Sequence, residues 1–417
     1  MSTAGQETVG LVLAGGGVRG AYEAGALSVL LPHLEARGER PTVLVGTSVG
    51  AMTATYLASA AHLGADEAAA GLLERWRGMT KGEVIRPIVR RQAPETVLRY
   101  AGEVLGVPGV KLPALLDPAP LAATLDSWIY WPQLRHNVRS GALDAVGVVA
   151  TSVPSGRSTV FVEGRSADQL YGSYGIEYVP VRLANAHVRA SGAIPTFFPA
   201  VWVDSPSSAR GWYYDGGTRL NTPIKPILDL DADRLVLVAT DAIDRSTEAR
   251  ERKPDFVPDY ADGALELIQA TLVDPLMHDV RMLGKINLLN AEESDVPSSV
   301  VRYQEARGKR PYRPIPYMFV APAKRGALGK LATEVFGRRY GGLKGLRSPD
   351  LVLLTRLLGG QGDAHGELLS YLFFDGSFVD GLIDMGAADA RRWLEIVDGP
   401  EAPWYLDPVD QLLGGAR

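Results

Sequence analysis

Apolar residues occur in two kinds of blocks along the first 245 residues of the chain. Short apolar runs at residues 8–14 ("TVGLVLA") and 41–48 ("PTVLVGTS") are typical of buried strands. The segments that follow them, residues 20–38 and 49–64, space their apolar residues as a helix does and each end in glycine. This strand–helix–strand–helix order predicts a parallel sheet covered by helices.

Beyond this unit the pattern changes twice. Residues 65–140 predict mainly helices and loops, and further strands are predicted at 142–153, 158–164 and 232–241. The chain then becomes charged and loop-like, and from about residue 262 it is mostly helical in pattern. We therefore predict an α/β domain over residues 1–245 and a mostly helical C-terminal extension, residues 246–417, packed on it.

Composition narrows the class of protein. The chain has 417 residues, 46% hydrophobic and 22% charged, as ordinary globular proteins have. Its net charge of −5 gives no general attraction to nucleic acid, and no nucleic-acid-binding motif is present, so we predict no such partner. The absence of cysteine excludes disulfides and thiolate catalysis. No His-x-x-x-His or carboxylate spacing of a metal site is found, and we predict neither a metal nor another cofactor.

The N-terminal residues have no positively charged segment followed by a long apolar run, so no Sec signal peptide is predicted. No uninterrupted apolar stretch reaches 18 residues, so no transmembrane helix is predicted. We expect a cytoplasmic protein whose membrane contact is peripheral. Nothing in the sequence indicates the oligomeric state.

A glycine-rich loop, "GGGVRG" at residues 15–20, joins the first strand to the first helix. It satisfies the G-x-G-x-x-G pattern of dinucleotide-binding loops. Such a site also needs an acidic residue at the end of the second strand, where this chain has Gly-Thr-Ser at 46–48. The Gly-Lys-Ser/Thr of phosphate-binding loops is missing as well, so we predict no nucleotide.

The second strand instead runs into "GTSVG", a G-x-S-x-G motif centred on Ser48. A nucleophilic serine needs a sharp strand-to-helix turn, and the flanking Gly46 and Gly50 let strand and helix approach closely. The N-terminus of the following helix adds a positive dipole end near the reacting oxygen. We therefore predict Ser48 as the nucleophile.

The two loops of this unit emerge at the same edge of the sheet, because parallel strands share their carboxyl edge. This placement predicts an oxyanion hole whose backbone N–H donors are those of Gly15, Gly16 and Gly17. The N–H of Val49, directly after the nucleophile, is a further candidate. Arg19 either supports the loop and the developing charge or is an ordinary surface arginine.

A serine nucleophile needs a base. His278 and His365 follow the serine in the order of an α/β-hydrolase, but both lie on helix-like stretches where a surface or packing histidine is expected. Asp215 follows an aromatic strand-like run and precedes Gly216 and Gly217, although Asp-Gly-Gly is also a common turn. A Ser–Asp dyad is the simpler account, since burial would raise the aspartate pKa from about 3.9 toward that of a useful base.

Four stretches together resemble the patatin-like phospholipases, serine lipid acyl hydrolases with a Ser–Asp dyad. They are "GGGVRG" at 15–20, "GTSVG" at 46–50, "SGAIPTFFP" at 191–199 and "DGG" at 215–217 with Asn221 and Pro223 behind it. The resemblance covers residues 7–245 and implies a three-layer α/β/α core with a mainly parallel sheet. It also implies Ser48 as nucleophile, Asp215 as general base, and the glycine loop as oxyanion hole with Arg19 beside it. The C-terminal part resembles the helical extension of many bacterial members.

Three functions follow from these observations. The first is hydrolysis of lipid acyl esters, of the phospholipase A or lysophospholipase type. The second is acyl transfer or thioester cleavage by the same dyad, because an acyl-enzyme can pass its acyl group to any acceptor. The third is a non-catalytic scaffold or regulatory protein on this fold.

Two basic segments are candidates for contact with a membrane surface. Residues 324–347 carry seven basic residues and one acid, with apolar residues at helical spacing. This pattern also fits a helix that faces the core and exposes a basic side to solvent. The second cluster, Arg86 with Arg90 and Arg91, is equally explained as a solvated surface.

Overall fold

The computed structural model describes residues 7–86, 114, 116–165, 167, 170, 172, 175–242, 263, 266, 274–292, 313–341, 363–399 and 401–413. The first four elements are strand β1 (Val9–Leu13), helix α1 (Gly20–Ala36), strand β2 (Pro41–Thr47) and helix α2 (Val49–Ser59). All four confirm the predicted order. Helix α2 ends at Ser59, five residues before the predicted glycine, because the chain turns there.

The other elements are grouped here by type. The remaining strands are β3 (Ala145–Ser152), β4 (Ser158–Gly164), β5 (Ile176–Pro180), β6 (Val201–Val203), β7 (Gly211–Asp215), β8 (Arg234–Val238) and β9 (Tyr317–Val320). The remaining helices are α3 (Ala65–Gly78), α4 (Lys81–Val84), α5 (Ala119–Trp128), α6 (Trp131–Ser140), α7 (Asn185–Ser191), α8 (Ile224–Asp229), α9 (Asp274–Glu292), α10 (Ala327–Tyr340), α11 (Asp363–Leu372), α12 (Gly376–Ile396) and α13 (Val409–Leu413).

The strands form one sheet in the order β5-β4-β3-β2-β1-β8-β9, with β7 beside β3 and β6 beside β7. The central run from β3 to β9 is parallel, as predicted. Strand β4 is antiparallel to β3, and β6 and β7 form an antiparallel pair. The sheet is therefore mixed and mainly parallel.

Helices cover both faces of this sheet. Successive residues of a strand point to opposite faces, and every residue of β1 and of β9 is buried. A strand that is buried on both sides has a continuous apolar sequence rather than an alternating one. Such a continuous run is what predicted β1. Helix α8 packs on β1 and β2, and α1 packs with α3 and α12. The three-layer α/β/α architecture is confirmed.

The position of β7 decides where its last residue lies. Strand β2 pairs with β3 as far as Thr47, which is opposite Val149, and then turns away into α2. Strand β7 pairs with the next residues of β3, so that Asp215 lies opposite Ala150. Since β4 occupies the other edge of β3, β7 fills the place that β2 leaves. Asp215 therefore meets Ser48 at the point where β2 ends.

The C-terminal region contributes to this core. Its strand β9 lies parallel to β8 at the edge of the sheet, and α12 packs on α1. Strand β9 was not predicted, because a four-residue apolar run flanked by prolines gives too little periodicity. The rest of the described C-terminal region is mainly helical, as predicted. The domain boundary near residue 245 stays a prediction.

The first basic segment forms α10, whose apolar residues Leu328, Ala332 and Val335 are buried while the helix packs on α11. Over residues 324–341 the core-facing interpretation is therefore the right one, and residues 342–347 lie outside the described residues. In the second cluster Arg86 pairs with Asp117, and Arg90 and Arg91 lie outside the described residues. Within the described ranges, none of the helices combines the length and apolar character needed to cross a bilayer.

Candidate active site

Ser48 lies at the turn between β2 and α2. Its backbone has φ 55° and ψ −121°, a conformation that residues other than glycine rarely adopt, and its side chain is 8% exposed. A methyl group at Gly46 would lie only 2.1 Å from the carbonyl oxygen of Gly50, so β2 and α2 approach to a distance that glycine alone permits. The structure thus has the strained turn that the G-x-S-x-G motif predicts.

The hydroxyl group of Ser48 donates a hydrogen bond to Oδ2 of Asp215 at 2.7 Å. The backbone N–H of Ser48 donates to Oγ of Ser191 at 2.8 Å. The Ser191 hydroxyl in turn donates to the carbonyl oxygen of Val149 at 2.5 Å. Ser191, at the end of α7, therefore links the strained turn to the sheet and leaves the Ser48 hydroxyl directed at the aspartate.

The carboxylate of Asp215 is held by the turn that follows it. Its Oδ1 accepts the backbone N–H of Gly217 at 2.7 Å, which leaves Oδ2 for Ser48. Its own carbonyl oxygen accepts the hydroxyls of Thr151 at 3.1 Å and Thr218 at 2.9 Å. A side chain at Gly216 would approach the sheet backbone to 2.4 Å. Both predicted glycines thus fix the orientation of the acid.

Burial changes the acid strength of Asp215, whose side chain is only 5% exposed. Loss of water raises its pKa from 3.8 to about 6, while the hydrogen bonds from Ser48 and Gly217 act in the opposite direction. The carboxylate is therefore a stronger base than a free aspartate and is still ionised at neutral pH.

The glycine loop meets the same edge of the sheet, but its three N–H groups are not equivalent. The N–H of Gly15 donates to Oδ1 of Asn221 at 3.0 Å, and the Gly15 carbonyl oxygen accepts the Thr240 hydroxyl at 3.2 Å. Gly15 is thus a fixed part of the loop and not an available donor, which corrects its predicted role. Within the described ranges, the N–H groups of Gly16, Gly17 and Val49 donate no hydrogen bond to another protein group.

Gly17 is where the loop touches the C-terminal region. Its φ of 58° is left-handed, and a methyl group there would lie 2.2 Å from the carbonyl oxygen of Tyr371 on α11. Any other residue would be strained by its backbone and would collide with that helix. The loop and α11 are therefore in direct contact at Gly17.

Arg19 is only 1% exposed, so the surface interpretation is wrong. Its guanidinium pairs with Asp241 at 2.7 Å and with Glu367, and it donates to Oγ of Ser370 at 2.6 Å. It also lies 3.9 Å from the centre of the Tyr371 ring. Burial alone would lower the pKa of Arg19, but the neighbouring tyrosine and carboxylates raise it. The charged side chain thus joins the glycine loop to α11.

A cavity of about 170 Å³, called here the first cavity, opens at Ser48 and Asp215. The α/β core provides most of its lining: Gly15, Gly16, Gly17, Ser48, Ile194, Phe197, Asp215, Gly217, Thr218 and Asn221. Helix α11 closes it with Leu368, Tyr371 and Leu372. The structure therefore brings the predicted serine, aspartate and glycine loop together around one space.

The alternative histidines do not reach this space. His278 is exposed on α9, and His365 is buried on α11 without lining the cavity. The Ser48 hydroxyl donates to an aspartate instead. The proposed order Ser–Asp/Glu–His of an α/β-hydrolase is therefore not what the fold assembles.

Sequence reasoning missed several residues that build the site. Ser191 is the first residue of "SGAIPTFFP", but the motif gave it no individual role. Thr240 follows the end of β8, so its place at the carboxyl edge was a usable signal. Helix α11 carried no signal, because its lining residues resemble those of any packed helix.

A mainly parallel α/β/α sheet with a G-x-S-x-G turn and a glycine loop at one edge is the arrangement expected of a patatin-like protein. The family model of the patatin-like phospholipases matches residues 11–228, more than half of the 417 residues. The chain belongs to this family.

Two solved structures are distantly similar to the chain. VipD from Legionella pneumophila shares 15% identity at a TM-score of 0.32, over 76% of this chain and 61% of VipD. The heterodimeric ExoU–SpcU complex of the Pseudomonas aeruginosa type III secretion system matches at 17% identity and a TM-score of 0.26, over 98% of this chain and 74% of the other. The chain thus spans less than two thirds of VipD. No curated protein matches it.

Proposed function

We propose that this protein hydrolyses lipid acyl esters, with Ser48 as nucleophile and Asp215 as general base. The observation that carries the proposal is the 2.7 Å hydrogen bond from the Ser48 hydroxyl to the buried Asp215 carboxylate. Family membership supports lipid esters as the substrate class. The intact serine–aspartate pair argues against a purely non-catalytic scaffold.

In the first step Oγ of Ser48 attacks the ester carbonyl carbon while Asp215 Oδ2 takes the hydroxyl proton. The carbonyl oxygen becomes an oxyanion. When the tetrahedral intermediate collapses, the bond from carbon to the alcohol oxygen breaks, and Asp215 returns its proton to the departing alcohol. The acyl group then remains on Ser48 as an ester.

The oxyanion needs donors that are already in place. We assign this role to the N–H groups of Gly16, Gly17 and Val49, and Gly15 holds the loop through Asn221. Helix α2 begins at Val49, directly after Ser48, and its N-terminus adds a positive dipole end.

In the second step water attacks the acyl carbon, Asp215 takes a water proton, and the carbon–Oγ bond breaks. The proton passes from Asp215 to Ser48, which restores the enzyme and releases the carboxylic acid. Acyl transfer uses the same acyl-enzyme with another acceptor in place of water. Product analysis separates the two outcomes, since hydrolysis yields free acid and transfer yields acyl on an added alcohol or amine.

The test measures hydrolysis of p-nitrophenyl esters by the wild type, Ser48→Ala and Asp215→Asn. We expect both variants to lose about 10³-fold or more in kcat, because the nucleophile or its base is gone. Asp204→Asn, an exposed acid, is the matched control and keeps full activity.

The pH profile gives an independent readout. Because Asp215 must be ionised to accept the proton, wild-type kcat/KM is expected to fall about tenfold per pH unit below pH 6. Full activity in folded Asp215→Asn would disprove the base assignment.

A further inference from the structure

A second cavity, of about 70 Å³, adjoins the first at Ser48. The residues common to both linings are Gly17, Ser48, Ile194, Tyr371 and Leu372. The second cavity extends from the first turn of α2 toward α3, α5 and α7. Two separate spaces therefore meet at the nucleophile.

Apolar groups make up most of both linings, and the difference between the cavities lies in a few polar groups. The side chains that belong to the second cavity alone include Met52, Trp76, Met79, Leu125, Val188 and Phe198, each at most 6% exposed. The first cavity instead contains the carboxylate of Asp215, the Thr218 hydroxyl and the Asn221 amide. The second cavity is thus an apolar space reached from Ser48.

We propose that the second cavity binds the acyl chain of the substrate and that Leu125, on its wall, limits the chain length. The alcohol part of the ester then occupies the first cavity. This inference rests on the proposed function, because it assigns the acyl and alcohol parts of an ester bound at Ser48 to different cavities.

The order of the chemical steps supports this assignment. The alcohol departs with a proton from Asp215, and the attacking water later gives its proton to the same carboxylate. Asp215 lines the first cavity and is not among the residues of the second. Departure and entry therefore take place in the first cavity, while the acyl chain stays bound through both steps. The adjoining apolar space, which Asp215 does not line, suits the group that stays.

Burial of an alkyl chain also explains how such a space would select substrates. Each methylene group that enters an apolar site is expected to raise kcat/KM about fourfold. The rise should stop at the chain length that fills the cavity. The wall residues then set the position of that limit.

The experiment measures kcat/KM for p-nitrophenyl esters from acetate to palmitate with two variants of one residue. Leu125→Phe narrows the second cavity, so the preferred chain becomes shorter. We expect the ratio of kcat/KM for the longest well-accepted ester to that for acetate to fall about tenfold, equivalent to nearly two methylene groups. Leu125→Ala widens the cavity, so the preferred chain becomes longer.

The two variants are expected to shift the preferred chain length in opposite directions. General destabilisation of the protein would instead affect both variants in the same way. Leu134→Ala is the matched control: Leu134 is a fully buried leucine of α6 that lines neither cavity, and its substitution should leave the chain-length preference unchanged. Identical profiles for the wild type and both Leu125 variants would overturn the proposal. So would a shift produced by Leu368→Ala in the first cavity and not by the Leu125 variants.

A binding measurement separates this proposal from the proposed function. Ser48→Ala protein is titrated with a fluorescent fatty acid, cis-parinaric acid, with and without Leu125→Phe. We expect the added substitution to weaken binding about tenfold. If wild-type protein hydrolyses no ester but this difference is found, the catalytic proposal fails and the acyl site stands. Equal affinity of the two proteins would overturn the acyl site whatever the activity.

Discussion

The first cavity has two walls of different character. The polar wall, made by Gly16, Gly17, Ser48 and Asp215, comes from the α/β core and presents backbone N–H groups, a hydroxyl and a carboxylate. The apolar wall, made by Leu368, Tyr371 and Leu372 of α11, comes from the C-terminal region. The residues of the polar wall lie in short sequence motifs, whereas the three residues of α11 lie in none; Ile194 and Phe197 add apolar lining from the core.

This difference follows from what each wall has to do. Proton transfer and oxyanion binding need particular atoms at particular positions, so the residue types and the backbone angles are both restricted. A surface for a lipid needs only apolar area of suitable shape, which many residues provide. Motifs therefore mark the atoms proposed to react, whereas of the apolar lining only Ile194 and Phe197, in "SGAIPTFFP", belong to a motif.

Arg19 connects the two walls: it is part of the glycine loop in sequence, but its side chain contacts α11. It follows the three glycines, yet its guanidinium lies among Asp241, Glu367 and Ser370. A buried charge cluster thus joins the two walls. Removing the charge of Arg19 tests whether the walls depend on each other.

Arg19→Met should produce the largest loss of stability. It leaves Asp241 and Glu367 next to each other without their partner, and breaking a buried ion pair from one side costs about 3–5 kcal/mol. The free energy of unfolding, measured by urea denaturation, tests this. Arg210→Met, which removes an exposed arginine paired with Asp204, is the control and should cost less than about 1 kcal/mol. Equal midpoints and slopes for the two variants would show that Arg19 does not join the walls.

The sequence predicted the polar wall well, because glycine and serine were forced there by the backbone. Gly50 has no room for a side chain, and Ser48 has the strained angles of a nucleophile turn. Asp215 was harder, since its motif is also a common turn, and only the antiparallel strand β7 brings it to Ser48.

The sequence could not show which partner each polar group takes. The pattern of three glycines predicts three N–H donors, but Gly15 uses its own for Asn221, 206 positions away. Arg19 meets Glu367 across 348 positions, and neither periodicity nor spacing reports such a contact. The lining residues of α11 have the same spacing as any buried helix face, so the apolar wall stayed unpredicted.

Asp215→Asn should sharpen the contrast between the two walls. It should make the folded protein more stable at neutral pH and abolish proton transfer at the polar wall. The folded pKa of Asp215 is raised to about 6 from 3.8, so the favourable contribution exists below 3.8 and is lost as pH rises through 6. At pH 8 the ionised buried carboxylate costs at most about 3 kcal/mol, which asparagine avoids.

The measurement is the difference in unfolding free energy between wild type and Asp215→Asn from pH 4 to pH 8. It should be small at pH 4, grow in favour of the variant between pH 4 and pH 6, and level off above pH 6. Asp204→Asn, which is exposed, should show no such growth. A difference that does not change with pH would mean that burial does not raise the pKa of Asp215 in the folded protein.

Leu368→Ala should produce the smallest effect on catalysis, and a neighbouring residue makes it interpretable. Leu368 lines the first cavity, whereas Leu369 is equally buried on α11 and lines neither cavity. Both alanine variants should lose about 2–4 kcal/mol of stability, since each leaves a hole in packed surroundings.

Only Leu368→Ala should alter substrate binding, raising KM for esters with a bulky alcohol about threefold to tenfold while kcat changes little. The atoms that we propose to react all lie on the polar wall, so we expect the apolar wall to act through contact area alone. A loss of kcat in Leu368→Ala comparable with that of Asp215→Asn would mean that α11 takes part in the chemistry. An equal rise of KM in Leu369→Ala would mean that general loosening of α11, rather than contact with the substrate, controls binding.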